Sequence, residues 1–322
     1  MMTGSDFLKR LCPEPVLTLV LILFFLDSGS CEKPGKESSG PKKGAESYFQ
    51  KAGEYRAQGK YEQAIQAYSD ALRLDPEFAP AYLNRGFVYD LKNDPGRAIA
   101  DYNQALGINP GYLDAYLNRG SAYLEKGELE RALKDFSKAV ELDPKFSDAY
   151  YNRAVVYEKK GELDRAVSDY SRALRLNSEY AEAYLNRGVV YAQKGELEKA
   201  IADYDQALKI DPALARALLN RGLAYYQAGK YEQAIADYSK ALELKPGDIG
   251  AYLNRGSAYF KKGDWDKAIA DGTRILEINP KNANAYYNRG LAYKMKGDSA
   301  RAKSDYQKAV ELDPGFAKKP YL

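Results

Sequence analysis

The sequence predicts an all-α protein, a solenoid of eight antiparallel helical hairpins, and regular repetition is the main reason for this prediction. The hexapeptide Ala-Tyr-Leu-Asn-Arg-Gly begins at Ala81, Ala115, Ala183 and Ala251, and close variants keep the same period of 34 residues. Proline recurs with the same period. A fixed period of this length is the signature of one supersecondary unit that has been copied and stacked. The eight copies span about residues 45–314.

Each repeat is predicted to contain two helices separated by a glycine. Repeat positions are numbered so that Ala79 is position 1 of the second repeat. Position 15 is Gly in seven repeats and Asn93 in the other, and both residue types tolerate the left-handed backbone that ends a helix. Positions 17 to 30 then form the second helix, which ends near the proline at position 32.

Small and aromatic residues at fixed positions predict close packing of the two helices. Position 20 is always Ala, and position 8 is always Ala or Gly. Position 11 is always Tyr, position 4 is Tyr except at Leu218, and position 24 is aromatic except at Gly272. Spacings of four and seven residues place such side chains on one helix face.

Arg at position 7 and Asp at position 23 occur together in seven repeats, and both are missing from the first. Each position lies eight residues from the turn at position 15, so an antiparallel hairpin places the two side chains opposite each other. We therefore predict an Arg–Asp ion pair in each of seven hairpins, or between adjacent hairpins. The alternative is that these arginines bind an acidic ligand.

This pattern resembles the tetratricopeptide repeat, whose consensus has a large aromatic residue, Leu, Gly, Tyr, Ala, an aromatic residue, Ala and Pro at positions 4, 7, 8, 11, 20, 24, 27 and 32. The resemblance covers about 270 residues in eight consecutive copies. It implies a right-handed α-solenoid with a concave groove that binds a protein or peptide ligand. Arg at position 7 departs from the consensus, as do Gly272 and Ile275 in the seventh repeat.

The resemblance also places candidate binding residues on the first helix of each repeat. Position 6 is an asparagine in seven repeats, and its amide can pair with the backbone of an extended peptide. The predicted ladder consists of Asn84, Asn118, Asn152, Asn186, Asn220, Asn254 and Asn288, with apolar position-5 neighbours that include Leu185, Leu219 and Leu253. The alternative is that this asparagine belongs to the consensus and only caps or solvates the helix.

Residues 1–30 do not share the period and have the order of a secretory signal peptide. Lys9 and Arg10 precede an apolar run over 16–26, which is shorter than the roughly 20 residues of a membrane span. Small residues then lead to Cys31, the residue that a bacterial lipoprotein would lipidate. An ordinary cleaved signal, an uncleaved anchor and a cytosolic protein are the alternatives.

The predicted domain organisation is a signal peptide (1–30), a flexible linker (31–44), eight repeats (45–314) and a short tail (315–322). The linker is rich in Lys, Glu, Gly, Ser and Pro, a composition that cannot bury enough apolar surface to fold. We therefore expect an exported protein that is anchored to the membrane in the bacterial cell envelope as a lipoprotein, or periplasmic or secreted if it is not lipidated.

The composition argues against catalysis and against a nucleic-acid ligand. The chain has no His, both Cys residues precede the repeats, and 48 Lys plus Arg nearly balance 45 Asp plus Glu. The repeats therefore lack the usual zinc ligands and a thiol nucleophile, and they carry no dense basic run. We expect no metal and no cofactor.

The predicted function is a non-catalytic scaffold that binds extended peptide segments or a partner protein in its groove. The alternative is a fixed structural or assembly subunit of an envelope machine, such as a pilus, a secretion complex or an outer-membrane assembly complex.

Overall fold

The computed structural model of the protein describes residue 42 and residues 44–318. This part of the chain is helical, with no β-strand among the described residues, so the predicted all-α class is confirmed. None of its helices combines the length and the apolar character needed to cross a lipid bilayer. The predicted signal peptide, Cys31, most of the linker and the end of the tail lie outside the described residues.

The described chain divides into an N-terminal unit (44–178) and a C-terminal unit (179–318), each with four helical hairpins. The helices of the N-terminal unit are α1 (Ala45–Ala57), α2 (Tyr61–Leu74), α3 (Ala79–Leu91), α4 (Pro95–Ile108), α5 (Leu113–Glu125), α6 (Leu129–Leu142), α7 (Ser147–Lys159) and α8 (Leu163–Leu176). Those of the C-terminal unit are α9 (Ala181–Gln193), α10 (Leu197–Ile210), α11 (Ala215–Gln227), α12 (Tyr231–Leu244), α13 (Ile249–Lys262), α14 (Trp265–Ile278), α15 (Ala283–Met295) and α16 (Ser299–Leu312). Connections this short join antiparallel neighbours.

A left-handed residue at position 15 ends the first helix of every hairpin, as predicted. The backbone angle φ lies between 70° and 85° at Gly59, Gly127, Gly161, Gly195, Gly229, Gly263 and Gly297. At Asn93 it is 58°. In the third repeat, the amide of Glu128 donates to the carbonyl of Tyr123 at 2.8 Å, which closes the end of the helix. The second helix then begins at position 17.

In four hairpins, an aromatic ring of the second helix packs directly on a glycine of the first helix. A Cβ atom added to Gly120 would lie 2.8 Å from the Phe136 ring, closer than real Cβ contacts occur. The same contact joins position 8 to the tyrosine at position 24 in three other hairpins, at Gly86, Gly188 and Gly222. These rings are almost fully buried, so the aromatic residues of the repeat pattern form part of the core of the fold.

The predicted Arg–Asp ion pairs are present, and each lies within one hairpin. The arginine Nε and Nη2 donate to the two carboxylate oxygens at 2.6–3.0 Å in all seven. The pairs are Arg85–Asp101, Arg119–Asp135, Arg153–Asp169, Arg187–Asp203, Arg221–Asp237, Arg255–Asp271 and Arg289–Asp305. All seven aspartates are buried. The hydrogen bond to Asp101 raises the pKa of Arg85 even though burial opposes its charge.

Several of these guanidinium groups also bind the preceding repeat. Arg119 Nη1 donates to Asn103 Oδ1 at 2.6 Å, and Arg85 Nη1 donates to Ser69 Oγ at 2.9 Å. The Arg119 guanidinium also lies 5.5 Å from the centroid of the Tyr116 ring, within cation–π range. All three nitrogens of Arg119 are therefore engaged inside the protein, which favours the structural role over the capture of an acidic ligand.

A short turn after the last helix covers the end of the final hairpin. Residues Pro314–Lys318 form a 3-10 helix in which Phe316 is only 3% exposed. The Phe316 ring packs on Tyr287 with a centroid distance of 4.9 Å. Phe78 does the same at the first junction, where its ring lies 5.0 Å from Phe49. The start of the tail thus repeats the packing between hairpins.

Replacement of Asp135 by Ala should strongly destabilise the third hairpin. The change strands the Arg119 guanidinium in a mostly buried position, which costs roughly 3–5 kcal/mol. Repeat arrays need not unfold as one unit, so the protection of α5 and α6 amides in hydrogen exchange is the appropriate measurement. The double variant R119M/D135L should recover most of the loss, because it removes both charges.

The control for this experiment is R274A, which breaks the exposed Arg274–Glu277 pair on α14. Exposed ion pairs contribute little, so its exchange pattern should match that of the unaltered protein. Equal effects of D135A and R274A would contradict a structural role for the buried pairs.

Candidate functional site

The candidate site lies on the first helices of the hairpins, which run side by side within each unit. In the N-terminal unit α3 contacts α5 and α5 contacts α7, and in the C-terminal unit α9, α11, α13 and α15 make the same series. Positions 5, 6, 9, 12 and 13 share one face of such a helix because of the 3.6-residue period. We call this surface, with the asparagines of position 6 along it, the groove face.

Most of the predicted asparagines present a free amide on the groove face. Within the described part of the chain, no hydrogen bond engages five of these side chains, and all five are at least partly exposed. They are Asn118, Asn152, Asn220, Asn254 and Asn288. An amide that is neither buried nor paired keeps both its donor and its acceptor for a ligand. Three of the five follow one another on α11, α13 and α15.

Two asparagines of the predicted ladder differ from the rest. Asn84 donates from Nδ2 to the Pro80 carbonyl at 2.9 Å, and its Oδ1 accepts from Arg56 at 3.1 Å. Asn186 is buried, with 9% of its surface exposed. Both are thus less available to a ligand than their counterparts, although the sequence gives all seven the same position.

The predicted leucines at position 5 also differ in their exposure. Leu219 and Leu253 are partly exposed beside their asparagines. Leu185 is fully buried in the core of the C-terminal unit, in one cluster with Tyr204 and Leu218, so its side chain offers no exposed surface. Position 5 points toward the next hairpin, and the side chains of that hairpin decide whether it is covered.

Asp90 is a groove-face carboxyl that was not predicted from the repeat pattern. Its Oδ2 accepts from the Tyr102 hydroxyl at 2.5 Å, while its Oδ1 is buried without a hydrogen-bond partner among the described residues. Burial raises the pKa of Asp90 to about 7, with smaller contributions from the charges of Glu125 and Asp94, against the effect of the Tyr102 hydrogen bond. No other repeat has Asp at position 12, and this departure from the repeat pattern could have indicated the residue from the sequence.

The seventh repeat contains a cavity of about 110 Å³ that opens on the groove face. It is lined by Leu253, Ser257 and Phe260 of α13 and by Gly272 of α14. Asn288 of the next first helix also lines it. The unusual pair Gly272 and Ile275 was visible in the sequence as a departure from the repeat, but the cavity that it produces was not predicted.

The described residues contain no group of three or more His, Cys, Asp or Glu side chains placed to hold a metal ion. The site offers amide groups, apolar surface and a cavity. These are means of binding another molecule by contact and by hydrogen bonds.

Comparison with family models identifies the repeat. A model described as TPR repeat matches residues 53–93, 120–161, 157–195, 190–229, 222–263 and 256–297. A second model, described as Tetratricopeptide repeat, matches residues 79–112 and 283–316. The chain belongs to the tetratricopeptide repeat family. No curated protein sequence matches it at a significant level.

Solved tetratricopeptide repeat structures resemble this chain. YrrB, described as a TPR protein with an unusual peptide-binding site, is 28% identical over 56% of this chain and 92% of its own, with a TM-score of 0.52. PilF of Pseudomonas aeruginosa is 27% identical over 63% and 92% of the two chains, with a TM-score of 0.54. A tetratricopeptide repeat protein of Parabacteroides merdae is 25% identical over 73% and 93%, with a TM-score of 0.55.

Replacement of Asp90 by Asn should stabilise this tetratricopeptide repeat protein at high pH but not at low pH. A carboxyl with a raised pKa when folded holds its proton more tightly in the folded state, so its ionisation destabilises the fold as the pH rises. The gain in the free energy of unfolding from D90N should therefore grow between about pH 4 and pH 7 and reach on the order of 2–4 kcal/mol. Urea unfolding at several pH values measures it.

The control is D266N, which removes an exposed carboxyl on α14. Exposed ion pairs contribute little, so D266N should change the free energy of unfolding by less than about 1 kcal/mol. A D90N effect that is equally large at both ends of the range would show that Asp90 does not titrate as described.

Replacement of the position-8 glycine should have opposite effects in the third and seventh repeats. In G120A the new methyl group collides with the Phe136 ring, and overpacking of this kind costs about 1–3 kcal/mol. At Gly256 the nearest atom to an added Cβ is Asp271 Cβ at 3.4 Å, an ordinary contact. Because Ala favours a helix by about 0.8–1 kcal/mol over Gly, G256A should be neutral or stabilising. Denaturation profiles compare the two, and equal losses would contradict the open space at Gly256.

Proposed function

We propose that this tetratricopeptide repeat protein is a non-catalytic scaffold that binds an extended peptide segment of another protein along its groove face. The observation that carries the proposal is the series of unpaired asparagine amides on successive first helices. Asn220, Asn254 and Asn288 lie on α11, α13 and α15 of one unit, each at position 6 of its repeat.

A side-chain amide suits the backbone of an extended peptide. Each peptide unit of the ligand offers one N–H donor and one C=O acceptor, and an asparagine amide can satisfy both. Such pairing does not depend on the ligand sequence. The partly exposed Leu219 and Leu253 add apolar contacts beside the amides, and these contacts discriminate between ligand side chains.

Two further observations support a binding role. Proteins of the tetratricopeptide repeat family are generally protein-binding scaffolds, and this chain belongs to that family. YrrB, to which the chain is similar, is described as having a peptide-binding site.

The proposal includes attachment to the cell envelope. Cys31 would carry the lipid, and residues 31–44 would hold the repeats away from the membrane. Labelling with a radioactive fatty acid tests this in cells. We expect label on the unaltered protein and none on C31A, and an unlabelled wild-type protein would overturn the tether without affecting the groove.

The triple variant N220A/N254A/N288A should lose peptide binding. A library of random peptides displayed on beads serves as the probe, and peptides selected by the unaltered protein are then measured in solution. Each lost hydrogen bond is worth about 0.5–1.5 kcal/mol, so the affinity of a selected peptide should fall at least about tenfold.

The control variant Q206A/Q233A removes exposed amides from the second helices α10 and α12, away from the groove face. It should bind the selected peptides as the unaltered protein does. Unchanged binding by the triple asparagine variant would contradict the proposal. If the protein selects no peptide and is instead purified with a single partner in equal amounts, the result would favour a fixed subunit of an envelope assembly.

A further inference from the structure

We propose that the cavity of the seventh repeat is an anchor pocket of the groove, which takes one large apolar side chain of the bound peptide, next to an acidic residue. This inference rests on the proposed peptide-binding function and adds its side-chain specificity. We define the anchor pocket by Leu253, Ser257, Phe260, Gly272, Ile275 and Asn288.

The anchor pocket exists because one side chain of the repeat pattern is missing. Position 24 is a buried aromatic residue in most hairpins, whereas the seventh repeat has Gly272 there. Position 27, which is Ala in the other repeats, is Ile275, and this larger residue is 1% exposed. The added aliphatic carbons at position 27 replace only part of the lost ring, and the remaining space is the pocket.

The glycine contacts show directly that the space is unfilled. A Cβ atom on Gly188 or Gly222 would meet the partner tyrosine ring at 2.7–2.8 Å. At the equivalent Gly256, the nearest atom to an added Cβ is Asp271 Cβ at 3.4 Å. The first helix of the seventh hairpin therefore lacks the ring contact that covers position 8 in four other hairpins.

The anchor pocket opens between the asparagines that are proposed to hold the peptide backbone. Leu253 and Ser257 precede and follow Asn254 on the same helix, and Asn288 is itself part of the pocket wall. Leu253, Ser257 and Phe260 are all partly exposed. A peptide whose backbone pairs with Asn254 and Asn288 can therefore place one side chain into the pocket.

The size and lining of the pocket select a large apolar side chain. A cavity of about 110 Å³ is smaller than the roughly 150 Å³ apolar cavity that is known to bind benzene, and it is open on one side. Aromatic rings of Tyr226, Tyr252 and Phe260 contribute to its walls. The missing group was aromatic, so a phenylalanine, tyrosine or leucine of the ligand supplies the apolar surface that the repeat lacks.

The charge at the rim favours an acidic neighbour in the ligand. Lys261 lines the pocket and its side chain is exposed. Among the described residues no carboxylate forms a salt bridge with Lys261, whereas the adjacent Lys262 pairs with Glu232 at 3.2 Å. An acidic residue next to the apolar anchor would provide the missing partner, and a charge contact of this kind at the rim of an interface discriminates between ligands.

The test compares random-peptide selections by the unaltered full-length protein and by two variants with a filled pocket. G272Y restores the ring of the repeat pattern, but its Cβ would start 3.0 Å from Arg289 Cβ, so the helices must shift. S257L fills the pocket from the first helix. It introduces leucine, the residue that the sixth and eighth repeats have at the same position, as Leu223 and Leu291. Circular dichroism verifies that both variants are folded.

The matched control is S121L, the same change at the same position of the third repeat. Ser121 donates to the Leu117 carbonyl at 3.0 Å, as Ser257 donates to the Leu253 carbonyl at 2.8 Å. In the third repeat the Phe136 ring already occupies the space, so S121L changes the serine without filling an anchor pocket. Ser121 belongs to the N-terminal unit, whereas the asparagines that are proposed to hold the peptide backbone, at positions 220, 254 and 288, belong to the C-terminal unit.

We expect the unaltered protein and S121L to enrich peptides with an aromatic or large aliphatic residue beside an acidic one. Replacement of that anchor by Ala in a selected peptide should weaken binding about ten- to one-hundredfold. The same peptide change should alter binding to S257L or G272Y less than about twofold, because the pocket is no longer available. K261A should remove the preference for the acidic neighbour and keep the anchor.

The outcomes separate this inference from the proposed function. Selection of peptides by the unaltered protein, with the same anchor preference in folded S257L and G272Y, would overturn the anchor pocket and leave peptide binding intact. Failure of the unaltered protein to enrich any peptide would overturn both.

Discussion

The contact between an aromatic ring and a residue without a side chain is the constraint on which this structure depends. Gly120 and Phe136 make this contact, and three other hairpins repeat it. The contact sets how near the two helices of a hairpin lie, and the hairpin spacing in turn sets which first-helix side chains remain exposed. Where the ring is missing, at Gly272, the same geometry leaves a cavity in place of a core contact.

Adjacent residues of the repeated hexapeptide have opposite roles because successive helical side chains point about 100° apart. Arg119 turns inward, where it binds Asp135 in its own hairpin and Asn103 in the preceding one. Asn118 turns to the groove face with its amide unpaired among the described residues. Because the inward arginine is mostly buried and engaged within the protein, the asparagine is the residue of this pair that is available to a ligand.

Local patterns predicted the hairpins and the ion pairs well, since turn residues such as Asn93 and the opposed Arg–Asp positions depend on a single repeat. The exposure of groove-face residues was harder to predict. Leu185 and Leu253 share position 5, yet only Leu185 is fully buried, because neighbouring hairpins decide its environment. The raised pKa of Asp90 and the anchor pocket likewise depend on side chains from several helices.

The most direct test is a crystal structure of the full chain with a peptide that it has selected from a random library. We expect an extended peptide whose backbone hydrogen-bonds to Asn220, Asn254 and Asn288, with one apolar side chain in the anchor pocket. A peptide bound on the second helices, or one on the groove face that leaves these asparagines unpaired and the pocket empty, would contradict it.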